Sequence, residues 1–315
     1  MRRMVVMAVL VLAGLVVALP LLLVEREAEV TRGDEMMIRV YLHEEERTAE
    51  MSVTDYLIGA LAAEMPASFE EESLRAGAVA ARTYAFRHMR CYGGTGYRDA
   101  DISTDYRIHK AYSTEKALRE KWGSDYDRYY AKLSQAVKST AGEVITYRGK
   151  LIEAFYHSMC GGRTASSQEV WDTPRDYLVS VDCTWDREAP RYRDSKKVTF
   201  AELSSSLGEG GMTVPVNADG SEMVRVVNRT ESGRADLVRI GERNYAGIDL
   251  RQKLGLRSAN FTTETGQDGI VFTTVGYGHG VGLCQYGANG MARAGYGYRD
   301  ILRHYYHGVT VERMK

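Results

Sequence analysis

The sequence has no large excess of charge of either sign. Its 41 lysines and arginines nearly balance its 42 aspartates and glutamates, which leaves a formal net charge of −1. Proteins that bind nucleic acid or anionic lipid usually carry a basic surface, so neither partner is expected. No internal repeat is present, and no glycine-rich loop has the context of a phosphate-binding motif.

Charge is absent altogether between Val5 and Val24, where most residues are valine, leucine, alanine or methionine. About 20 such residues in a helix cover a hydrocarbon core of roughly 30 Å. Arg2 and Arg3 precede this segment and an acidic flank follows it, which predicts a cytoplasmic N-terminus and an extracytoplasmic remainder. A cleaved signal peptide is the alternative, but the segment is long and ends without a small-x-small site, which favours an uncleaved anchor.

After this segment, local patterns predict mainly helices first and mainly strands later. Hydrophobic spacing, Ser52 or Thr54 as a cap, and Pro66 as a terminator predict a helix over 54–65. A capping-box pattern at Ser68 and Glu71 predicts the start of the next helix. Further helices are predicted over 118–139, 200–207, 245–254, 288–294 and 298–305. Strands are predicted over 36–42, 143–147, 151–156, 224–227, 236–240 and 270–275.

We therefore predict an α+β fold, in which a helical N-terminal part packs on a strand-rich C-terminal part. The N-terminal transmembrane anchor covers 1–24, and a stalk with the first strand covers 25–50. The helical part, which we expect to be catalytic, covers 51–142. The strand-rich part covers 143–315 and is expected to complete a binding groove.

Three segments carry the residue types that chemistry needs. Glu64 ends an apolar helix, where the helix dipole and the apolar neighbours favour a protonated carboxyl group, as a general acid requires. A surface glutamate at a helix end is the simpler alternative. Residues 153–164 run from a strand into a glycine-rich turn, and residues 276–290 contain six glycines around His279. Such segments allow close backbone approach to a ligand, although the glycines could equally serve tight turns around a core histidine.

These motifs together resemble those of the stage II sporulation protein D family. They are LAAEMP from Leu61, AVAARTYA from Ala78, FYHSMCGGRT from Phe155 with Val170 and Trp171 after it, and GYGHGVGLCQYGANGMA from Gly276. The likeness runs in order over roughly residues 36 to 310. It implies an anchored enzyme that thins septal peptidoglycan during engulfment in sporulation. Its implied reaction is lytic transglycosylation, which cleaves between MurNAc and GlcNAc and leaves a 1,6-anhydro-MurNAc end.

The resemblance implies Glu64 as the catalytic residue and no required cofactor. The C6 hydroxyl of the substrate would act as the nucleophile, so one carboxylate could serve as acid and then as base, where ordinary glycosidases need two. The residues expected to bind substrate are Arg82, Tyr84, His109, Tyr112, His157, Ser158, Gly161, Gly162, His279, Gln285 and Tyr286. The expected partners are glycan strands, a partner amidase and other engulfment proteins.

Metal binding is considered at two places. Some members of the family bind zinc in the stretch after the second helix, but here Ser103 and Lys110 stand at the thiol positions beside His109, so we predict no zinc there. Elsewhere, His157, Cys160, Cys183 and Cys284 could form a structural zinc site. A Cys160–Cys183 disulfide and unpaired thiols are the alternatives, and the sequence does not decide among the three.

A second function from a different class also fits the motifs. Some members of the family are described as amidase modifiers, so a non-catalytic wall-binding protein that enhances a partner amidase is the alternative. The intact LAAEMP motif with Glu64 favours the enzyme. A serine or cysteine hydrolase is disfavoured, because Cys160 and His157 lack a third, orienting residue and a nucleophile elbow.

Overall fold

The computed structural model describes residues 36–171, 173–208 and 224–314. The predicted anchor over 1–24 lies outside these residues. Within them, no helix has the length and apolar character needed to cross a membrane. The fold is a mixture of helices and several small sheets, which confirms the α+β prediction. The described chain divides into two compact units: residues 36–67, 85–144 and 312–314 form the first, and 68–84 with 145–311 form the second.

The first unit begins with a hairpin of two antiparallel strands. The pair is β1 (Met37–Leu42) and β2 (Arg47–Ser52), of which the sequence predicted only the first. The helices that follow along the chain are α1 (Val53–Glu64), α2 (Glu71–His88), α3 (Glu115–Trp122) and α4 (Tyr126–Ser139), and residues 71–84 of α2 belong to the second unit. A short strand, β3 (Ile102–Ser103), pairs in parallel with β1 to complete a sheet of order β2-β1-β3.

Local sequence signals account for the start of α1 and for the break between α3 and α4, but not for the start of α2. The Ser52 side chain accepts a hydrogen bond from the backbone N–H of Asp55 and so caps α1. The predicted capping box at Ser68 is wrong, because α2 begins at Glu71. The predicted helix over 118–139 is two helices, separated at Gly123, whose φ of 52° lies in the left-handed region that breaks a helix.

The second unit contains the strand-rich part. The strands of this part of the chain are β4 (Glu143–Tyr147), β5 (Lys150–Leu151), β6 (Tyr156–His157), β7 (Gly162–Arg163), β8 (Asp182–Cys183), β9 (Arg193–Thr199), β10 (Val224–Arg229), β11 (Ala235–Ile240), β12 (Arg243–Ala246), β13 (Phe261–Thr265), β14 (Gly269–Val275), β15 (Leu283–Cys284) and β16 (Thr310–Arg313), of which β4 begins and β16 ends with residues of the first unit. Its helices are α5 (Ser167–Trp171), α6 (Phe200–Ser206), α7 (Gly247–Lys253), α8 (Gln285–Arg293) and α9 (Tyr298–Tyr305). The predicted strand over 151–156 is wrong in its middle, since regular pairing occurs only at β5 and at β6.

The sheets of the second unit are small and mostly antiparallel. Their orders are β10-β11-β12 and β13-β14-β9, and β7 pairs with β8. The first two of these sheets pack with α6 and α7 around a core that includes Leu203, Val238, Leu250, Phe261 and Phe272. The pair β6–β15 is parallel and joins the two glycine-rich segments, because Tyr156 pairs with Leu283 and His157 with Cys284. This short ladder fixes the register between the FYHSMCGG and GHGVGLCQYG segments.

Candidate active site

Glu64 is the last residue of α1, and its position follows from the sequence around it. Met65 is extended, with φ −122° and ψ 138°, as expected for a residue that precedes a proline. Leu61 and Met65 are buried, whereas Glu64 is half-buried. The helix therefore ends with a carboxylate at the edge of an apolar surface.

One backbone group approaches the Glu64 carboxylate. The N–H of Ala111 donates a hydrogen bond to its Oε1 at 3.2 Å. Among the described residues, no lysine or arginine forms an ion pair with Glu64, even though ion pairs are common elsewhere on this chain. The carboxyl group is thus held in position by one backbone hydrogen bond.

Tyr112 holds the Ala111 segment against α1. Its ring is parallel to the ring of Tyr56, with the centroids 6.0 Å apart, and lies directly over Gly59. A Cβ on Gly59 would be 2.3 Å from the Tyr112 ring, and the Gly59 carbonyl accepts a hydrogen bond from the Ser113 N–H. A glycine inside a helix costs about 1 kcal/mol relative to alanine. Gly59 is therefore explained by the close approach that it permits.

If Glu64 is the catalytic acid, as the sequence predicts, Gly59→Ala should lower kcat by about 10–100-fold, because a displaced Tyr112 would carry Ala111 away from Glu64. Steady-state kinetics on glycan would measure this. In a Tyr112→Ala background the added methyl group meets no ring, so Gly59→Ala should then have little further effect. Additive losses in the double variant would contradict the positioning role.

His109, a predicted substrate-binding residue, belongs to the same unit. Its ring packs edge-on against the rings of His88 and Tyr97, at centroid distances of 5.0 and 5.8 Å. Its Nδ1 accepts a hydrogen bond from the backbone N–H of Ser103. Burial, His88 and the Lys110 charge lower the pKa of His109 to about 4. The imidazole is therefore neutral at physiological pH.

Four aromatic side chains meet in the second unit, three from the two glycine-rich segments and one, Trp171, from α5. The Trp171 ring lies 4.7 Å from Phe155 and 5.2 Å from His279, and His157 lies 5.6 Å from His279, between ring centroids. Trp171 remains 39% exposed. An exposed indole beside other rings is a suitable surface on which a sugar ring can stack.

Both ring nitrogens of His279 contact the backbone. The Val281 N–H donates to Nδ1 at 3.1 Å, so Nδ1 is the acceptor and Nε2 carries the proton, which it donates to the Tyr156 carbonyl at 3.1 Å. The imidazole thus links the 276–290 segment to β6. Because both ring nitrogens are engaged, the predicted contact between His279 and substrate would use the face of the imidazole ring.

We expect His279→Ala to lower the free energy of unfolding by about 1–3 kcal/mol, because the Tyr156 carbonyl and the Val281 N–H would lose their partner. Thermal and denaturant unfolding would measure the change. His307→Ala, which removes an exposed histidine of the same unit, is the matched control and should leave stability unchanged. Unchanged stability of His279→Ala with a raised KM would instead support direct substrate binding.

Four of the predicted substrate-binding residues are buried. Arg82 is fully buried within α2, and Tyr84, His157 and Gln285 are at most 5% exposed. The Nδ1 of His157 contacts the carbonyl oxygen of Val281 at 3.1 Å. Substrate contact by these side chains stays a prediction. Their burial shows that they pack in the interior of the unit.

The remaining predicted residues of the second unit are half-buried and contact one another through the backbone. The Tyr286 N–H donates to the Ser158 carbonyl at 3.1 Å. Gly161 and Gly162 have φ values of 82° and 103°, which a residue with a side chain rarely adopts. The Gly161 N–H donates to Oδ2 of Asp186 at 2.9 Å, and Gly162 pairs with Cys183.

Three cysteines meet beside this backbone. Cys160, Cys183 and Cys284 are fully buried, and no disulfide joins any of the four cysteines. Their fourth neighbour is Asp186, in place of the predicted His157. Hydrogen bonds from the other two thiols lower the pKa of Cys183 to about 4, whereas burial raises the pKa values of Cys160 and Cys284.

Sequence reasoning missed three contributors to these sites. Trp171 was predicted only as part of a motif, and neither Gly59 nor Asp186 was predicted to take part in a site. The signal for Gly59 was present, because a glycine in the middle of an apolar helix usually has a packing reason. The signal for Asp186 was its position three residues after Cys183, a spacing that can bring two metal-ligating side chains together.

Comparison with known proteins defines the class of the chain. A family model described as stage II sporulation protein matches residues 41–147. The chain is 35% identical over 285 residues to stage II sporulation protein D of Bacillus subtilis (strain 168), covering 90% of this chain and 81% of that protein. The chain belongs to the stage II sporulation protein D family.

Two further relatives extend the comparison. Stage II sporulation protein D of Bacillus amyloliquefaciens is 35% identical over 275 residues, which cover 87% of this chain and 78% of that protein. A Bacillus subtilis protein named amidase enhancer is 28% identical over 303 residues, covering 81% of this chain but 40% of the longer relative. The motifs recognised in the sequence therefore indicated the correct family.

Proposed function

We propose that this protein is a peptidoglycan lytic transglycosylase, which cleaves glycan strands between MurNAc and GlcNAc during septal wall thinning and engulfment. The observation that carries the proposal is the environment of Glu64. Its carboxyl group ends an apolar helix, accepts one backbone hydrogen bond, and has no ion-pair partner among the described residues. A proton-transfer group needs to be both positioned and able to change its charge.

The proposed reaction needs one carboxyl group. Glu64 donates its proton to the glycosidic oxygen as the bond from C1 of MurNAc breaks, and GlcNAc leaves with a hydroxyl group. The Glu64 carboxylate then takes the proton of the MurNAc C6 hydroxyl, whose oxygen forms the new bond to C1. No water is consumed, and Glu64 is protonated again at the end of the cycle. The reaction therefore requires no second carboxylate to activate water.

Positioning would then contribute much of the rate. The C6 hydroxyl and C1 belong to the same sugar ring, so the protein has only to hold that ring in the conformation that brings them together. In the second unit, Trp171 offers an exposed ring for stacking on a sugar. The glycine-rich segments offer backbone groups for hydrogen bonds to N-acetyl substituents.

Product analysis tests the proposal. Purified wall glycan, with and without its peptides, would be incubated with the protein, and the fragments analysed by mass spectrometry. We expect new 1,6-anhydro-MurNAc ends, which are one water lighter than hydrolysis products. Reducing MurNAc ends would indicate a hydrolase instead, and the absence of glycan cleavage would contradict the proposal.

The alternative is a non-catalytic wall-binding protein that enhances a partner amidase. Its support is the similarity to the protein named amidase enhancer. Under this alternative, glycan ends would not change, whereas release of stem peptides by an added amidase would rise. The two readouts are independent, so one set of digests separates the two functions.

We further propose that residues 1–24 anchor the protein in the cell membrane, with its N-terminus in the cytoplasm and the described part outside. The uncharged segment from Val5 to Val24 and the preceding arginines support this proposal. Sequencing the N-terminus of the membrane-extracted protein distinguishes an intact anchor from a cleaved signal peptide.

A further inference from the structure

Four potential metal ligands from three separate segments meet inside the second unit. Cys160 follows β6, Cys183 ends β8, Asp186 lies in the 3-10 turn directly after β8, and Cys284 precedes α8. One ligand atom from each lies within 4.8 Å of all the others, and all four residues are buried. The segments are up to 124 residues apart in the chain.

The spacing of these atoms fits a metal better than it fits a disulfide. Tetrahedral zinc with Zn–S bonds of about 2.3 Å separates its ligand atoms by about 3.8 Å. The Cys160 Sγ lies 3.1 Å, and the Cys284 Sγ 3.7 Å, from Oδ2 of Asp186. A disulfide would bring two sulfurs to about 2.05 Å and leave the third thiol beside a buried carboxylate. Mutual separations of up to 4.8 Å are compatible with four ligand atoms around a single ion.

The surroundings also indicate a cation at this point. Asp186 is 1% exposed, and its Oδ1 has no hydrogen-bond partner among the described residues. A buried carboxylate that is incompletely satisfied is costly, and a cation bound at Oδ2, the oxygen that lies among the sulfurs, would offset its charge. The Arg234 guanidinium is also buried beside this cluster and donates to the Cys160 carbonyl at 3.0 Å. Its charge would offset part of the excess negative charge of three thiolates and one carboxylate around a divalent ion.

Backbone donors complete the arrangement. The N–H groups of Cys160 and Gly287 both point at the Cys284 Sγ, each at 3.3 Å. Such N–H···S hydrogen bonds orient and stabilise metal-bound thiolates as an outer shell of partners. A Cβ on Gly287 would lie 2.5 Å from the Cys183 Sγ, so only glycine leaves the space that the sulfurs occupy.

We propose that Cys160, Cys183, Cys284 and Asp186 bind one zinc ion. The soft thiolates select zinc over magnesium or calcium. Four protein ligands close the coordination shell, so the site is structural and has no open position for substrate. The ion fastens together the segments that carry Ser158, Gly161 and Gln285. It therefore stabilises the glycan-binding segments without taking part in the proposed chemistry.

Metal analysis of the full-length chain, purified without chelator, tests the proposal without any measure of activity. We expect one zinc per chain by elemental mass spectrometry. Cys183→Ser and Asp186→Asn should weaken zinc binding by at least about 10-fold, since even the loss of a partner outside the ligand shell costs that much. Cys91→Ser is the matched control, because Cys91 is exposed and lies outside the cluster. It should keep its zinc.

Cobalt substitution provides a second readout that does not depend on a ligand-deleted variant folding. Co²⁺ bound by three thiolates should show intense sulfur-to-cobalt charge-transfer absorption together with the visible bands of tetrahedral cobalt. Asp186→Cys, which creates a Cys-x-x-Cys pattern, should keep the metal and shift the bands to lower energy, as expected for four sulfurs. Zinc-free protein with three reactive buried thiols, a disulfide found by mass spectrometry, or a Co²⁺ spectrum without sulfur charge transfer would each overturn the proposal.

Discussion

Glu64→Gln is expected to abolish glycan cleavage while glycan binding survives. Glutamine preserves the shape of the side chain and can still accept the Ala111 hydrogen bond through its carbonyl oxygen, but it has no proton to donate. General acid catalysis contributes about 10²–10⁴-fold, so the rate should fall by at least that factor. The release of 1,6-anhydro-MurNAc ends would measure the rate, and co-sedimentation with wall glycan would measure binding.

Glu120→Gln is the matched control for this variant. Glu120 is an exposed glutamate of the same unit, and its loss should leave the rate unchanged. If Glu64→Gln lost only a few-fold in rate, Glu64 would not be the acid. If the protein acts by enhancing an amidase, the same variant should stimulate that amidase as well as the wild type does. The expected result is therefore specific to the proposed chemistry.

Gly282→Ala is expected to cause the largest loss of stability. Gly282 has a φ of 72°, and a Cβ there would lie 2.1 Å from the carbonyl oxygen of Phe155. That carbonyl cannot move away easily, because it accepts hydrogen bonds from the Leu283 N–H at 3.1 Å and the Tyr306 hydroxyl at 2.7 Å. Left-handed strain and overpacking together should cost roughly 2–5 kcal/mol of unfolding free energy.

Gly149→Ala separates the two causes of this loss. Gly149 belongs to the same unit and has the same φ of 72°, but nothing lies within 4 Å of the position of its Cβ. It should lose only the cost of left-handed strain, about 1–2 kcal/mol. Denaturant unfolding of both variants would compare them. Equal losses would show that the Phe155 carbonyl yields to the added methyl group.

Much of the fold could be predicted where a local signal was strong. The helix α1 was predicted to within one residue at each end, because Ser52 supplies a cap and Pro66 ends it. The short strands around the glycine-rich segments were not predicted well. β6 and β15 have two residues each, and they exist because they pair with each other over more than 120 positions. No periodicity can develop over two residues, so the sequence contains no signal for them.

The candidate site also has a part that local sequence signals predict and a part that only tertiary contacts decide. The motif containing Glu64 identified the carboxylate, and Pro66 placed it at the end of a helix. The Ala111 N–H that holds the carboxylate was not predictable, because its position depends on Tyr112 packing over Gly59. The predicted substrate residues Arg82 and His157 have chemistry suited to a ligand, yet their burial is decided by packing around them.

The sequence by itself determined the family, the α+β class, the end of α1 and the identity of the candidate acid, because each depends on adjacent residues or on an ordered set of motifs. The tertiary structure alone decided that Asp186, not His157, joins the three buried cysteines. Cys160 and Cys284 are neighbours only because β6 and β15 pair in register. Side chains that are distant along the chain meet through such pairing, and local sequence patterns carry no information about it.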